Sequence, residues 1–126
     1  MELGLLFRRL GIKTIVEGGQ ICASACALAF LGGTDGKGKP WRSSSDNSQL
    51  GFHAFYSSGG EDMTSDEVQK VVGFILAYAQ QVDAPIETLI FSFMTPSSDM
   101  YYLSQNEICG LGIKLWSNKT NKFICN

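Results

Sequence analysis

Apolar residues recur at helical spacing from the start of the chain. Leu3, Leu6, Phe7 and Leu10 share one face and Gly11 ends the run, which predicts a helix over Glu2–Leu10. The β-branched stretch Lys13-Thr-Ile-Val-Glu17 predicts a short strand, turned at Gly18-Gly19. Residues 21–31 are rich in Ala, Leu and Phe, close at Gly32-Gly33 and predict a buried helix. Positions 34–49 are mostly Gly, Ser, Lys, Asp and Asn. They predict a polar loop, with at most a short strand around Trp41-Arg42. At about sixteen residues this loop exceeds the usual connection of ~4–6, which points to function or mobility. Residues 50–56 predict a buried strand and 57–60 a loop. Thr64-Ser-Asp-Glu67 has the form of a capping box and opens a helix to about Val82, with Val68, Val71, Val72, Ile75, Leu76 and Ala79 as its apolar stripe. Pro85 suits the first turn of a further helix running to Phe91 or Met94. A loop over 95–99, a strand over 100–103, a second capping box at Ser104 and Glu107, and a strand over 111–115 complete the pattern. Helices alternating with short apolar strands argue for an α/β fold, and 126 residues for a single domain over 1–126.

Composition narrows the function classes. With 44% hydrophobic and 17% charged residues the chain has material for a core. Ten basic residues against twelve acidic give a net charge of −2, and no basic stripe is present, so nucleic-acid binding has no electrostatic support. No apolar run approaches the ~18–20 residues a membrane span needs. Leu3 to Phe7 is too short for a signal-peptide core, so no export signal is visible. The four cysteines, Cys22, Cys26, Cys109 and Cys125, permit disulfides in three connectivities. A bridge from Cys109 to Cys125 would tie down the tail, and for Cys22 and Cys26 a disulfide between them, or small buried thiols, is the ordinary reading. Their spacings do not match zinc-ligand patterns, so no structural zinc is expected.

Chemistry concentrates on two residues. Ser24 lies in Cys22-Ala-Ser-Ala-Cys26, at or beside a helix start where serine commonly caps. His53, the only histidine, lies 29 residues later in Leu50-Gly-Phe-His-Ala-Phe55. A hydroxyl nucleophile needs a neighbouring base, and imidazole titrates near neutral pH. Any Ser–His chemistry therefore uses this histidine. Asp99, in Ser98-Asp-Met-Tyr-Tyr-Leu-Ser104, follows 46 residues after His53 and is the candidate to orient it; Asp83 and Asp62 are weaker candidates. A cysteine of the flanking pair is a rival nucleophile for His53.

In this order of Ser, His and Asp, followed by Tyr102-Leu-Ser-Gln-Asn-Glu-Ile-Cys-Gly-Leu-Gly-Ile113, the chain resembles the ClpP-like serine peptidases of the ClpP/crotonase superfamily. The Cys22-Ala-Ser-Ala-Cys26 segment and Gly51-Phe-His53 are most similar to a bacterial, often periplasmic, branch. The resemblance covers roughly residues 3–113. It implies Ser24 as nucleophile, His53 as base, Asp99 as the residue that orients the imidazole, and the Ala25 backbone N–H as an oxyanion donor. It also implies a serine hydrolase, specifically a peptidase, acting on peptide or protein substrates without metal or cofactor, and assembly into homo-oligomers. A catalytically inactive member that binds peptides or assembles with partners is the alternative. Two features depart from the family. The Gly-Gly segment that supplies its second oxyanion donor precedes its first helix, whereas Gly18-Gly19 follows the helix here, so the resemblance implies an N-terminally truncated fold. Asp99 to Ser104 is also one residue longer than the family spacing.

Overall fold

The computed structural model describes residues 1–54 and 63–126. The end of the strand predicted over 50–56, the loop predicted over 57–60 and the orienting candidate Asp62 lie outside them. The fold is mixed α/β, with helix α1 (Glu2–Leu10) leading into strand β1 (Thr14–Val16) through the left-handed Gly11. The segment expected as one helix divides. Its first residues form strand β2 (Ile21–Ala23), and only the remainder is helical, as α2 (Ala25–Phe30). Within the predicted loop lies β3 (Arg42–Ser45), followed by β4 (Gln49–Phe52). Helices α3 (Ser65–Gln81) and α4 (Ile86–Met94) match their predicted spans closely. Beyond them come β5 (Tyr101–Tyr102), α5 (Gln105–Gly110), β6 (Lys114–Ser117) and an unpredicted β7 (Lys122–Cys125).

These strands form two sheets. The four-stranded sheet has the order β1-β3-β6-β7, parallel except for β7. The three-stranded sheet has the order β2-β4-β5, with β2 and β4 parallel and β5 antiparallel. Leu50, Phe52, Leu31, Val82, Ile113 and Leu115 are buried between the sheets and helices in one main core.

Glycine permits close approaches at positions 32 and 51. A Cβ on Gly32 would run into the backbone of Gly4, so α1 and α2 pack backbone to backbone there. One on Gly51 would meet Met100 and the Tyr102 ring at 2.8 Å, so glycine there makes room for these side chains where β5 lies against β4. Capping follows the sequence signals: Thr64 accepts from the Glu67 N–H, and Ser104 with Glu107 completes both halves of its box.

The predicted loop becomes a strand because its polar groups find partners inside. Arg42 is buried, and its guanidinium donates to the carbonyls of Leu31, Val82 and Asp83. It thereby ties β3 to the ends of α2 and α3. Burial lowers its pKa to about 10, which still leaves it charged at neutral pH. Ser44 pairs with Ser48, and Ser45 donates to Asn47.

Candidate active site

β2 ends and α2 begins at Ser24, and this junction determines what the serine does. Its N–H continues the strand ladder by donating to the Gly51 carbonyl at 3.1 Å. Its own carbonyl accepts the first helical bond, from the Leu28 N–H, also at 3.1 Å. To be strand on one side and helix on the other, Ser24 adopts φ 59° and ψ −122°. Positive φ is uncommon for a residue with a Cβ and persists only where the surroundings impose it. Ser24 occupies the N-cap position, yet its hydroxyl makes no capping hydrogen bond. Instead, Oγ lies 2.8 Å from Nε2 of His53.

His53 stands just past the end of β4, beside the buried Phe52, with its ring half-buried. The parallel pairing of β2 with β4 sets Ala23 opposite Gly51, which brings the residues following both strands together. On the far side of the ring, Nδ1 lies 2.9 Å from the backbone carbonyl oxygen of Ser97. A carbonyl only accepts, so Nδ1 carries a proton, and in the neutral ring Nε2 is then the nitrogen that accepts from the Ser24 hydroxyl. That tautomer is the one a general base requires.

The loop supplying this carbonyl is held at both ends. Ala54 N–H donates to Thr95 O at 2.9 Å, and Leu103 N–H donates to Leu50 O at 2.9 Å. Between them Pro96 O accepts from the Asp99 N–H at 2.9 Å, closing a turn with Ser97 and Ser98 at its centre.

The structure brings Ser24 and His53 together and leaves Asp99 apart. Asp99 is exposed, and among the described residues its carboxylate has no hydrogen-bond partner. The orienting contact expected of its carboxylate is made by the carbonyl of Ser97, two residues earlier. The physical reason is the turn, which aims a main-chain group at the ring and Asp99 at solvent. Asp83 is engaged elsewhere, in an ion pair with Arg8 at 2.6 Å. Ala25 is the first residue of α2 and is exposed, and its N–H belongs to the first helical turn, where N–H groups lack intrahelical acceptors.

Both flanking cysteines are oxidised to one another, Cys22 to Cys26, with Cα atoms 5.2 Å apart. A thiolate nucleophile is therefore absent from this form. The second bridge joins Cys109 to Cys125. Among the described residues no group of three or more His, Cys, Asp or Glu is arranged to hold a metal ion, and no helix is long and apolar enough to cross a membrane.

The sequence offered no signal for the Ser97 carbonyl, because every residue carries one. Only the Pro-Ser-Ser turn composition marked the segment. No protein-family model matches the chain, and no curated protein matches it.

Proposed function

We propose that this chain is a serine hydrolase of ClpP/crotonase-like fold, acting on amide or ester bonds of peptides through an acyl-enzyme. The observation that carries the reading is the 2.8 Å contact between Ser24 Oγ and His53 Nε2, at a serine whose hydroxyl is not used as a cap. In this reading Ser24 Oγ attacks the substrate carbonyl carbon while its proton passes to Nε2. The C–N or C–O bond then breaks, and the leaving amine or alcohol takes the proton from the imidazolium. Water repeats the sequence on the ester, with His53 again as base. The Ser97 carbonyl keeps the ring in the reactive tautomer and accepts from Nδ1–H when the ring is charged. The Ala25 N–H donates to the oxyanion, favoured by the positive end of α2. Two disulfides support an oxidising compartment.

A fluorophosphonate probe tests the reading. Wild-type protein should be labelled at Ser24, and neither Ser24→Ala nor His53→Gln should be. A folded wild type that stays unlabelled removes the hydrolase reading.

A second reading, a non-catalytic module that takes up a peptide strand or a second copy, is favoured by one observation. Among the described residues β1 and β2 are both open sheet edges, with Ile15 and Ile21 59% and 60% exposed on them. It predicts self-association or peptide binding by an unlabelled protein, measured by sedimentation.

A further inference from the structure

The Cys22–Cys26 disulfide closes a ring of five residues with Ser24 at its centre. We propose that this bridge is the positioning device for Ser24: it keeps the hydroxyl on His53, and its reduction by a dithiol releases it.

Three observations lead there. Ser24 holds a positive φ that only its surroundings can impose. Main-chain hydrogen bonds to Gly51 and from Leu28 hold its N–H and carbonyl, its neighbours Ala23 and Ala25 bring nothing larger than a methyl group, and the disulfide is the covalent restraint that crosses the turn. The helix that follows, α2, is anchored in the core from Ala27 onward, whereas its first two residues, Ala25 and Cys26, are exposed, so packing does not fix the residues next to Ser24. The bridge is also reachable. Cys22 is buried but Cys26 is exposed, and both line an open cavity of about 880 Å³ bordered by Ile21, Ala25 and Phe30. A thiolate from a dithiol can attack the sulfur of Cys26, the exposed residue of the pair, expelling Cys22 as a thiolate that takes up a proton. The second thiol of the reductant then resolves the mixed disulfide. Two electrons pass to the cysteines and the reductant leaves as a disulfide. The other bridge, Cys109–Cys125, joins α5 to β7 and spans no part of this turn.

The single histidine makes the test clean, because its ring NMR signals come from one residue. In the C109A/C125A variant the Cys22–Cys26 bridge is the only disulfide left. Its His53 Hε1 and ring ¹⁵N signals are recorded oxidised, after dithiothreitol, after reoxidation, and with Ser24→Ala added. Reduction is expected to move the signals to the Ser24→Ala positions, and reoxidation to return them. C22A/C26A, which keeps the other bridge, should display the moved signals without reductant, and it carries the test if C109A/C125A does not fold. Signals that stay in place once mass spectrometry finds both thiols free overturn the proposal. Collapse of the whole amide spectrum on opening the bridge, by reduction or by C22A/C26A, also overturns it, because the bridge would then hold the fold rather than the turn. Fluorophosphonate labelling, an arm that rests on the hydrolase reading, should slow by about 100-fold on reduction. If neither form labels, that reading fails while the His53 signals still decide the role of the bridge.

Discussion

Ser24 carries a backbone strain that an ordinary capping serine does not. Positive φ costs a residue with a Cβ on the order of 1–3 kcal/mol, and glycine avoids that cost. Ser24→Gly should therefore be more stable than Ser24→Ala by about 1 kcal/mol, after allowing for the greater unfolded-state freedom of glycine. Urea unfolding of the two variants measures it, and equal stability would mean that the turn holds no strain. Asp99 stands apart from the imidazole. A carboxylate that fixes a catalytic histidine is worth about 10,000-fold in rate when replaced by its amide. With the Ser97 carbonyl on Nδ1, Asp99→Asn should slow fluorophosphonate labelling by less than about tenfold; a loss near the larger figure, in a kinetic labelling series, would return the carboxylate to the site. The contact between Ser24 and His53 was legible in the sequence because only one histidine exists to meet a serine. The orienting group was not, because it is main chain and depends on where a turn comes to rest.

Among the elements, β3 explains most of what the hydrophobic pattern missed. Arg-Ser-Ser-Ser reads as loop, yet all four residues of this strand are buried. Such a strand is stable only if each polar group is matched inside, and Arg42 supplies three of the matches through the carbonyls of Leu31, Val82 and Asp83. Arg42→Met keeps the packing of the side-chain stem but leaves those carbonyls without this donor. At ~1–3 kcal/mol for an unsatisfied buried group, and with water reaching some of them, the substitution should cost about 3 kcal/mol in urea unfolding. A loss below about 1 kcal/mol would mean that the three carbonyls find other donors. The split of residues 21–31 into β2 and α2 was missed for a different reason. A short apolar run fits strand and helix equally, and only the pairing with β4 decides. The helices were legible where caps and periodicity agreed, as in α3, or where a capping box stood by itself, as in α5.

At the scale of the whole molecule, alternating helices and strands announced the α/β class, while the division of the strands between two sheets depends on crossovers that no local pattern records. The site belongs to the three-stranded sheet, through β2 and β4. The C-terminal hairpin of β6 and β7 belongs to the other, with β7 at its edge. β7 is mostly exposed, so burial contributes little to holding it. Its anchors are the ladder to β6, the packing of Phe123 against Trp116 and Trp41, and the bridge from Cys125 back to Cys109 in α5. That bridge spans a sequence separation of 16, a length at which a cross-link removes about 3 kcal/mol of chain entropy from the unfolded state. C109A/C125A should therefore lose about 3 kcal/mol in urea unfolding, with faster amide exchange concentrated over residues 122–125. Labelling of Ser24 should be unchanged, because the lost restraint acts on the other sheet. A variant that is destabilised and also loses labelling would mean that the two sheets are coupled and that the terminal hairpin helps to hold the serine in place.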